Sequence, residues 1–171
     1  MVRILMVTPM PPQAQAPGAI PLVLHAQLTA LSPRHQVTLV TVVGADPGEW
    51  EAVERLRTAG VEVHGLPLMT SSGRQRWQRR WRLANSWLRG GYPWRTLWFW
   101  EPQMQHHLDQ LLAGQRFDLV TVDDNAMGIY CYRTALPLLF TEHEVRRPRQ
   151  INWGKSASTG WLNWRRNMAR P

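Results

Sequence analysis

VRILMVTPMPPQAQAPGAIPLVLHAQLTALSPRHQVTLVTVV, residues 2–43, decides the fold. Its opening, VRILMV at 2–7, is a short apolar run that meets Thr8, Pro9, Pro11 and Pro12, the pattern of a buried strand. A loop rich in Pro, Gln, Ala and Gly follows from Thr8 to Gly18. Leu22, Leu24, Leu28 and Leu31 then recur at near-helical spacing until Ser32-Pro33 stops the helix. VTLVTVV at 37–43 is β-branched and apolar almost throughout, so it reads as a strand covered on both faces.

The same alternation continues outward. Asp46-Pro47 supplies an N-cap with proline at the first helical position. The predicted helix passes through Trp50, Val53 and Leu56 to Gly60, and VEVH at 61–64 makes a third strand ended by Gly65 and Pro67. Strands and helices alternating over such short connections predict an α/β fold, a Rossmann-like doubly wound parallel sheet. A helix over 74–88, a break at Gly90-Gly91 and Pro93, and a helix from Pro102 to Leu112 come next. DLVTV at 118–122 and LLFT at 138–141 read as short buried strands with a helix over 126–134 between them. The chain divides into a Rossmann-like domain at 1–145 and a basic, Trp-rich tail at 146–171. That tail reads as the truncated start of an interdomain region, carrying an amphipathic helix through Trp161, Leu162, Trp164 and Arg165.

The 171 residues are 44% hydrophobic and 19% charged, which suits one globular domain. No run of about 18 apolar residues is present, which excludes a membrane-spanning helix, and 4–7 is too short for a signal-peptide core. The single cysteine, Cys131, forms no internal disulfide and reads as a buried small hydrophobe, and a cytoplasmic location follows. The net charge of +8 is uneven. Residues 74–95 carry seven Arg and no acid, and residues 146–171 carry six Arg plus Lys155 and no acid, so the remainder is acidic. Nine of the ten tryptophans lie at or beyond Trp77.

Ligands of an open parallel sheet sit beyond the carboxyl ends of its strands. The residues expected there are Gly18 and Ala19 after the first strand, Asp123, Asp124 and Asn125 after the fourth, and Glu142, His143 and Glu144 after the fifth. No GxGxxG or GxxxxGK[ST] motif occurs. Gly18, before a helix N-terminus, either admits a phosphate or sugar to the backbone or is a plain loop glycine. His143, between two carboxylates, is the best candidate for a general base or a hydrogen-bond partner of a sugar hydroxyl; the alternative is a structural histidine. Asp123 and Asp124 either bind hydroxyls or cap the following helix, and capping is the expected role of at least one. Adjacent His106 and His107 point about 100° apart on a helix with no third ligand at i+4, so they read as a solvated face and no metal site is expected.

Trp77, Trp81, Ala84 and Leu88 fall at i, i+4, i+7 and i+11, a stripe surrounded by arginines. Three readings stay open: a surface helix packing its Trp face on the sheet, a dock for an anionic membrane, and, least favoured, a nucleic-acid contact.

TPMPP, followed by PGAIPLVLHAQLTALSPRHQVTLVT, resembles the opening of family 4-type glycosyltransferases with the GT-B fold. LTALSPRHQVTLV at 28–40 is similar to their "L-x-x-L-x-x-x-H-x-V-T-L-V" passage into strand two. LLFTEHEV at 138–145 is similar to the strand-end "T-x-H-[DE]" element. The resemblance covers nearly the whole chain, as the N-terminal, acceptor-binding half of such an enzyme. It implies that Gly18 and Ala19 face the interdomain cleft and that His143 lies near the transferred sugar; Asp123, Asp124, Asn125, Glu142 and Glu144, expected at the strand ends, are the other cleft candidates. It implies membrane docking through Arg76, Trp77, Arg79, Arg80 and Trp81, and peripheral association with the inner face of the plasma membrane. It further implies hexosyl transfer to a lipid-linked or surface-polymer acceptor with retained anomeric configuration. No cofactor is expected in this chain, the nucleotide-sugar donor belonging to the complete enzyme. The sequence departs from the family in having Gly-Ala for Gly-Gly, and in lacking an arginine that members often carry on the following helix. The C-terminal donor-binding domain with its E-x7-E signature is missing, so the chain alone is expected to be inactive. Glu54 and Glu62 share that spacing but straddle Gly60 and read as a chance match. The rival readings are a non-enzymatic module binding an anionic membrane or polymer through its Arg/Trp helices, and a small nucleotide-binding protein.

Overall fold

Apolar β-branched runs separated by helices assemble, in the computed structural model, into a single parallel sheet. Residues 1–68 and 99–143 are described, together with Trp77, Arg80, Trp81, Ala84, Asn85 and Leu88. The elements are β1 (Arg3–Thr8), α1 (Ala19–Leu31), β2 (Gln36–Val43), α2 (Pro47–Thr58), β3 (Glu62–Pro67), α3 (Pro102–Gly114), β4 (Leu119–Asp123), a 3₁₀ turn (Asn125–Ile129) and β5 (Leu138–Thr141). The five strands are ordered β3-β2-β1-β4-β5 and all are parallel. The expected Rossmann-like α/β sheet is therefore present, and its order reverses at β1.

Strand alternation sends side chains to two buried layers. Leu5, Val7, Val40, Val42, Val120 and Val122 meet Met104, Leu108 and Leu111 of α3 on one face. Ile4, Met6, Val37 and Leu39 meet Leu24 and Leu28 of α1 and Val53 and Leu56 of α2 on the other. Two covered faces explain why β1 and β2 read as nearly continuous apolar runs. At the start of α2, Asp46 accepts a hydrogen bond from the Gly48 N–H at 2.9 Å and Glu49 accepts one from the Gly44 N–H. Its end is set by Gly60, whose φ of 87° favours glycine.

Several expectations need correction. The segment expected to be helical over 126–134 makes only the 3₁₀ turn at Asn125–Ile129. Long-range bonds take the backbone and carbonyl groups that a helix would use internally. Gln105 of α3 exchanges two hydrogen bonds with the Cys131 backbone, each 2.8 Å, and the Tyr132 hydroxyl donates to the Met127 carbonyl at 3.0 Å. Cys131 itself is exposed, because its backbone is what the fold holds. β5 is not buried: among the described residues it is an edge strand paired only with β4, and it leaves Leu138, Leu139 and Phe140 50–54% exposed. β3 continues past His64 through Gly65 to Pro67, since a sheet edge tolerates proline. Gly65 is needed for close approach: a Cβ there would lie 3.1 Å from Val43 Cγ2 and 3.4 Å from the Trp50 ring.

The expectation of a solvated face holds for His106, which is exposed, but not for His107, which is partly buried. The His107 ring stands 4.7 Å from that of His64, whose Nε2 lies 2.9 Å from Glu62 Oε1. Glu62 Oε2 also accepts from the Thr38 hydroxyl at 3.0 Å, and Oε1 accepts from Gln115 at 3.3 Å, so this cluster ties the β3 edge to α3. Glu54 lies on α2 and pairs with Arg57, whereas Glu62 lies on β3; their spacing joins two separate elements. No group of three metal-binding side chains occurs among the described residues. No helix among them is long and apolar enough to cross a membrane.

Leu28 is 1% exposed and Leu22, on the same helix, is 41% exposed. Leu28→Ala is expected to cost about 2–5 kcal/mol and Leu22→Ala less than about 0.5 kcal/mol, read by thermal denaturation. Burial, aided by charge on His64 and His106, pushes the His107 imidazole below its ordinary 6.5. The unfolded chain therefore takes up this proton first, and stability falls as pH drops below about 6.5. His107→Gln is expected to flatten that slope in melts across pH; an unchanged slope would assign it elsewhere.

Candidate functional site at the sheet reversal

The strand registers bring polar side chains to one level. Thr8 pairs with Thr41, and Asp123 pairs with Thr141. The β1–β4 ladder ends with Val7 opposite Val122, so Thr8 and Asp123, the next residue of each strand, stand side by side. Val7 and Val122 belong to the α3 face, so alternation puts Thr8, Thr41, Asp123 and Thr141 on the α1–α2 face. Four neighbouring strands thus contribute to one polar row above the apolar layer, at the ends of β1, β4 and β5 and two residues before the end of β2.

The row is buried at its centre. Thr8 and Thr41 are fully buried and their hydroxyls are hydrogen-bonded at 2.9 Å, while the Thr8 hydroxyl donates to the Met10 carbonyl at 2.9 Å. Asp123 is 2% exposed, and His143, two residues beyond Thr141, brings Nε2 to 3.6 Å from Asp123 Oδ1. Burial pushes the Asp123 carboxyl above its ordinary value, and the His143 charge and the His143 and Thr141 side chains offset this only in part.

Asp124 has φ 76° and ψ 144°, and is the non-glycine residue with positive φ among those described. Such a backbone costs on the order of 1–3 kcal/mol and concentrates at functional sites. Two contacts hold it: its N–H donates to the Thr141 carbonyl at 2.8 Å, and its Oδ1 accepts from the Ala126 N–H at 2.9 Å. Asp124 is therefore the capping aspartate and Asp123 the buried one. Asn125 Nδ2 donates to Glu142 Oε1 at 3.3 Å, linking the ends of β4 and β5.

On the same face, Ile20 in the first turn of α1 packs against the apolar cluster. The turn has neither a side-chain cap nor an acidic residue, which leaves Gly18 and Ala19 at an uncapped helix N-terminus. The fold itself does not demand glycine there: Gly18 has φ −132°, and a Cβ would meet only Pro21 Cδ, at 3.7 Å.

Gly18, Ala19, Asp123, Asp124, Asn125, Glu142 and His143 therefore share the carboxyl end of the sheet. Glu144, Arg76 and Arg79 lie outside the described residues. Thr8, Thr41 and Thr141 were not anticipated as site residues; the threonines closing the first and last apolar runs, Thr8 and Thr141, were the available signal. Trp77, Arg80 and Trp81 lie in helical conformation, and Trp77, Trp81 and Leu88 expose 64%, 59% and 65% of their surface. That corrects the reading in which this stripe packs on the sheet. Comparison with protein-family models, curated proteins and solved structures returns no match. Fold and site define a Rossmann-like α/β domain with a polar, carboxylate-bearing row at its topological switch point.

A carboxyl raised by burial stabilises the fold below its unfolded pKa and loses that contribution as pH rises through its folded value. Asp123→Asn, which does not ionise, is expected to melt at a higher temperature than the parent at pH 7 and at a similar one near pH 3. A lower melting temperature at pH 7 would instead make the His143 pairing outweigh burial.

Proposed function

We propose that the chain is the acceptor-side, N-terminal domain of a nucleotide-sugar-dependent glycosyltransferase, the enzyme moving a hexosyl unit to a lipid-linked or surface-polymer acceptor. The observation that carries this reading is the convergence of Asp123 and His143 with Thr8 and the uncapped turn at Gly18 and Ala19. Of these, Gly18, Ala19 and His143 are the positions that the motif resemblance assigns to the interdomain cleft and the transferred sugar. Carboxylate, imidazole and hydroxyl groups suit a polyhydroxylated ligand, and helix N–H groups suit a phosphate or hydroxyl oxygen. The nucleotide-sugar donor would be held chiefly by a second, donor-binding domain.

In this reading Arg76, Trp77, Arg79, Arg80 and Trp81 form a dock for the anionic inner face of the plasma membrane. The exposure of Trp77, Trp81 and Leu88 supports it, since Trp favours the headgroup level and each Arg adds about 1 kcal/mol. The same observation favours the second reading, a non-enzymatic binding module for an anionic membrane or polymer.

Titration of the ¹⁵N-labelled chain with octyl glucoside below its micellar concentration is expected to shift amides of Gly18, Ala19, Asp123, Asp124 and His143. Shifts confined to other residues would overturn the assignment. Gly18→Ala is expected to leave the melting temperature unchanged and to weaken those shifts. The purified chain alone is expected to transfer no sugar from a nucleotide donor. Reversing Arg76, Arg79 and Arg80 to Glu is expected to weaken co-sedimentation with phosphatidylserine-containing vesicles by on the order of a hundredfold at low salt. No binding by the parent chain would remove the membrane dock from both readings.

A further inference from the structure

The end of β4 holds three buried side-chain atoms without a hydrogen-bond partner: Thr121 Oγ1, Asp123 Oδ2 and His143 Nε2. Buried polar groups are nearly always paired, so this concentration calls for an account. The His143 side chain is 9% exposed and that of Asp123 is 2% exposed, so neither exchanges its partner for water. The His143 Nε2 is buried and faces Asp123 Oδ1 at 3.6 Å.

An unprotonated Nε2 would turn its lone pair on a carboxylate and be repelled. A proton there converts the contact into an attractive, charge-assisted one. In the neutral ring only one nitrogen carries the proton, so the tautomer that satisfies Asp123 leaves a lone pair on Nδ1. The 3.6 Å separation is longer than a hydrogen bond. It is fixed from the backbone: the Asp124 N–H bond to the Thr141 carbonyl, 2.8 Å, clamps the end of β4 to the end of β5.

We propose that Asp123 is a positioning residue for His143, holding Nε2 protonated and inward so that an unprotonated Nδ1 accepts a hydrogen bond from a ligand hydroxyl. A lone pair selects O–H donors and disfavours phosphate or carboxylate oxygens, which have no proton to give at neutral pH. The dyad stands on geometry alone; reading the hydroxyl as a sugar's rests on the proposed function.

The test is ¹⁵N spectroscopy of histidine side chains in the full chain at a pH where the ring is neutral, with His143→Gln to assign the signals. The parent is expected to give protonated Nε2 and unprotonated Nδ1. Asp123→Val is expected to lose this single-tautomer signature. If that variant does not fold, Asp123→Asn serves, because its amide offers Nε2 either an N–H or an oxygen and so mixes the tautomers. A parent ring protonated at Nδ1, or an unchanged signature in the folded variants, overturns the proposal. Octyl glucoside shifting Nδ1 in the parent, and not in the variants, supports both the dyad and the sugar reading. The expected tautomer without any glycoside shift supports the dyad and counts against the sugar reading.

Discussion

The carboxyl end of the sheet depends on β1 being paired on both sides, with β2 along Arg3–Thr8 and with β4 from Ile4 to Val7. The chain runs outward from β1 through β2 to β3 and then returns to β4 on the other side of β1, so the crossovers run in opposite directions along the sheet. Right-handed connection then puts α1 and α2 on one face and α3 on the other. The chain leaves β1 toward one face and β4 toward the other, the position at which open α/β sheets bind ligands. Thr8 and Asp123 end their strands there, so the side chains at this position follow from the pairing of a strand whose interior is wholly apolar.

The same constraint accounts for what was legible in the sequence. A central strand must be apolar on both sides, and RILMVT and QVTLVTVV announce this within a few residues. The caps of α2 were equally readable, because Asp46, Pro47 and Gly60 act through local geometry. Elements governed by distant partners were not. The stretch after Asn125 has the composition of a helix, yet Gln105, far away in the chain, holds the Cys131 backbone extended. The burial of β5 was misjudged because LLFT has a core-strand composition, and composition does not reveal how many neighbours a strand acquires. At the site, the candidate residues could be placed from strand ends alone. The pairing of Asp123 with His143 could not, since it requires the β4–β5 register.

The charge pattern separates two kinds of contact. The arginine blocks contain no acid, and the rest of the chain carries all twelve acidic residues. Asp123, Asp124 and Glu142 cluster at the sheet reversal, where a negative environment disfavours a second anion and leaves hydroxyls as suitable ligands. Trp77, Trp81 and Leu88 instead lie on the arginine-rich stretch and face outward. On the proposed reading, an anionic surface is attracted to that stretch and repelled from the carboxylates. A lipid-linked acceptor then meets both, its headgroup plane at the arginines and its hydroxyls at the row.

Asp123 and Asp124 are adjacent, and each is a local cost to the fold. One carboxyl is buried against its ionisation, and the next residue holds a backbone conformation that non-glycine residues rarely adopt. Neither cost is needed to build the sheet: β4 is already secured by Val120 and Val122 in the core and by β1 and β5 on either side. Asparagine at the first position and glycine at the second would relieve them. Consistency across local and tertiary preferences is the rule for residues that only have to fold, and breaches of it gather where a residue has another task. Two consecutive breaches, at the one level where the strand order reverses, single out this end of the sheet as the candidate site on grounds independent of any motif.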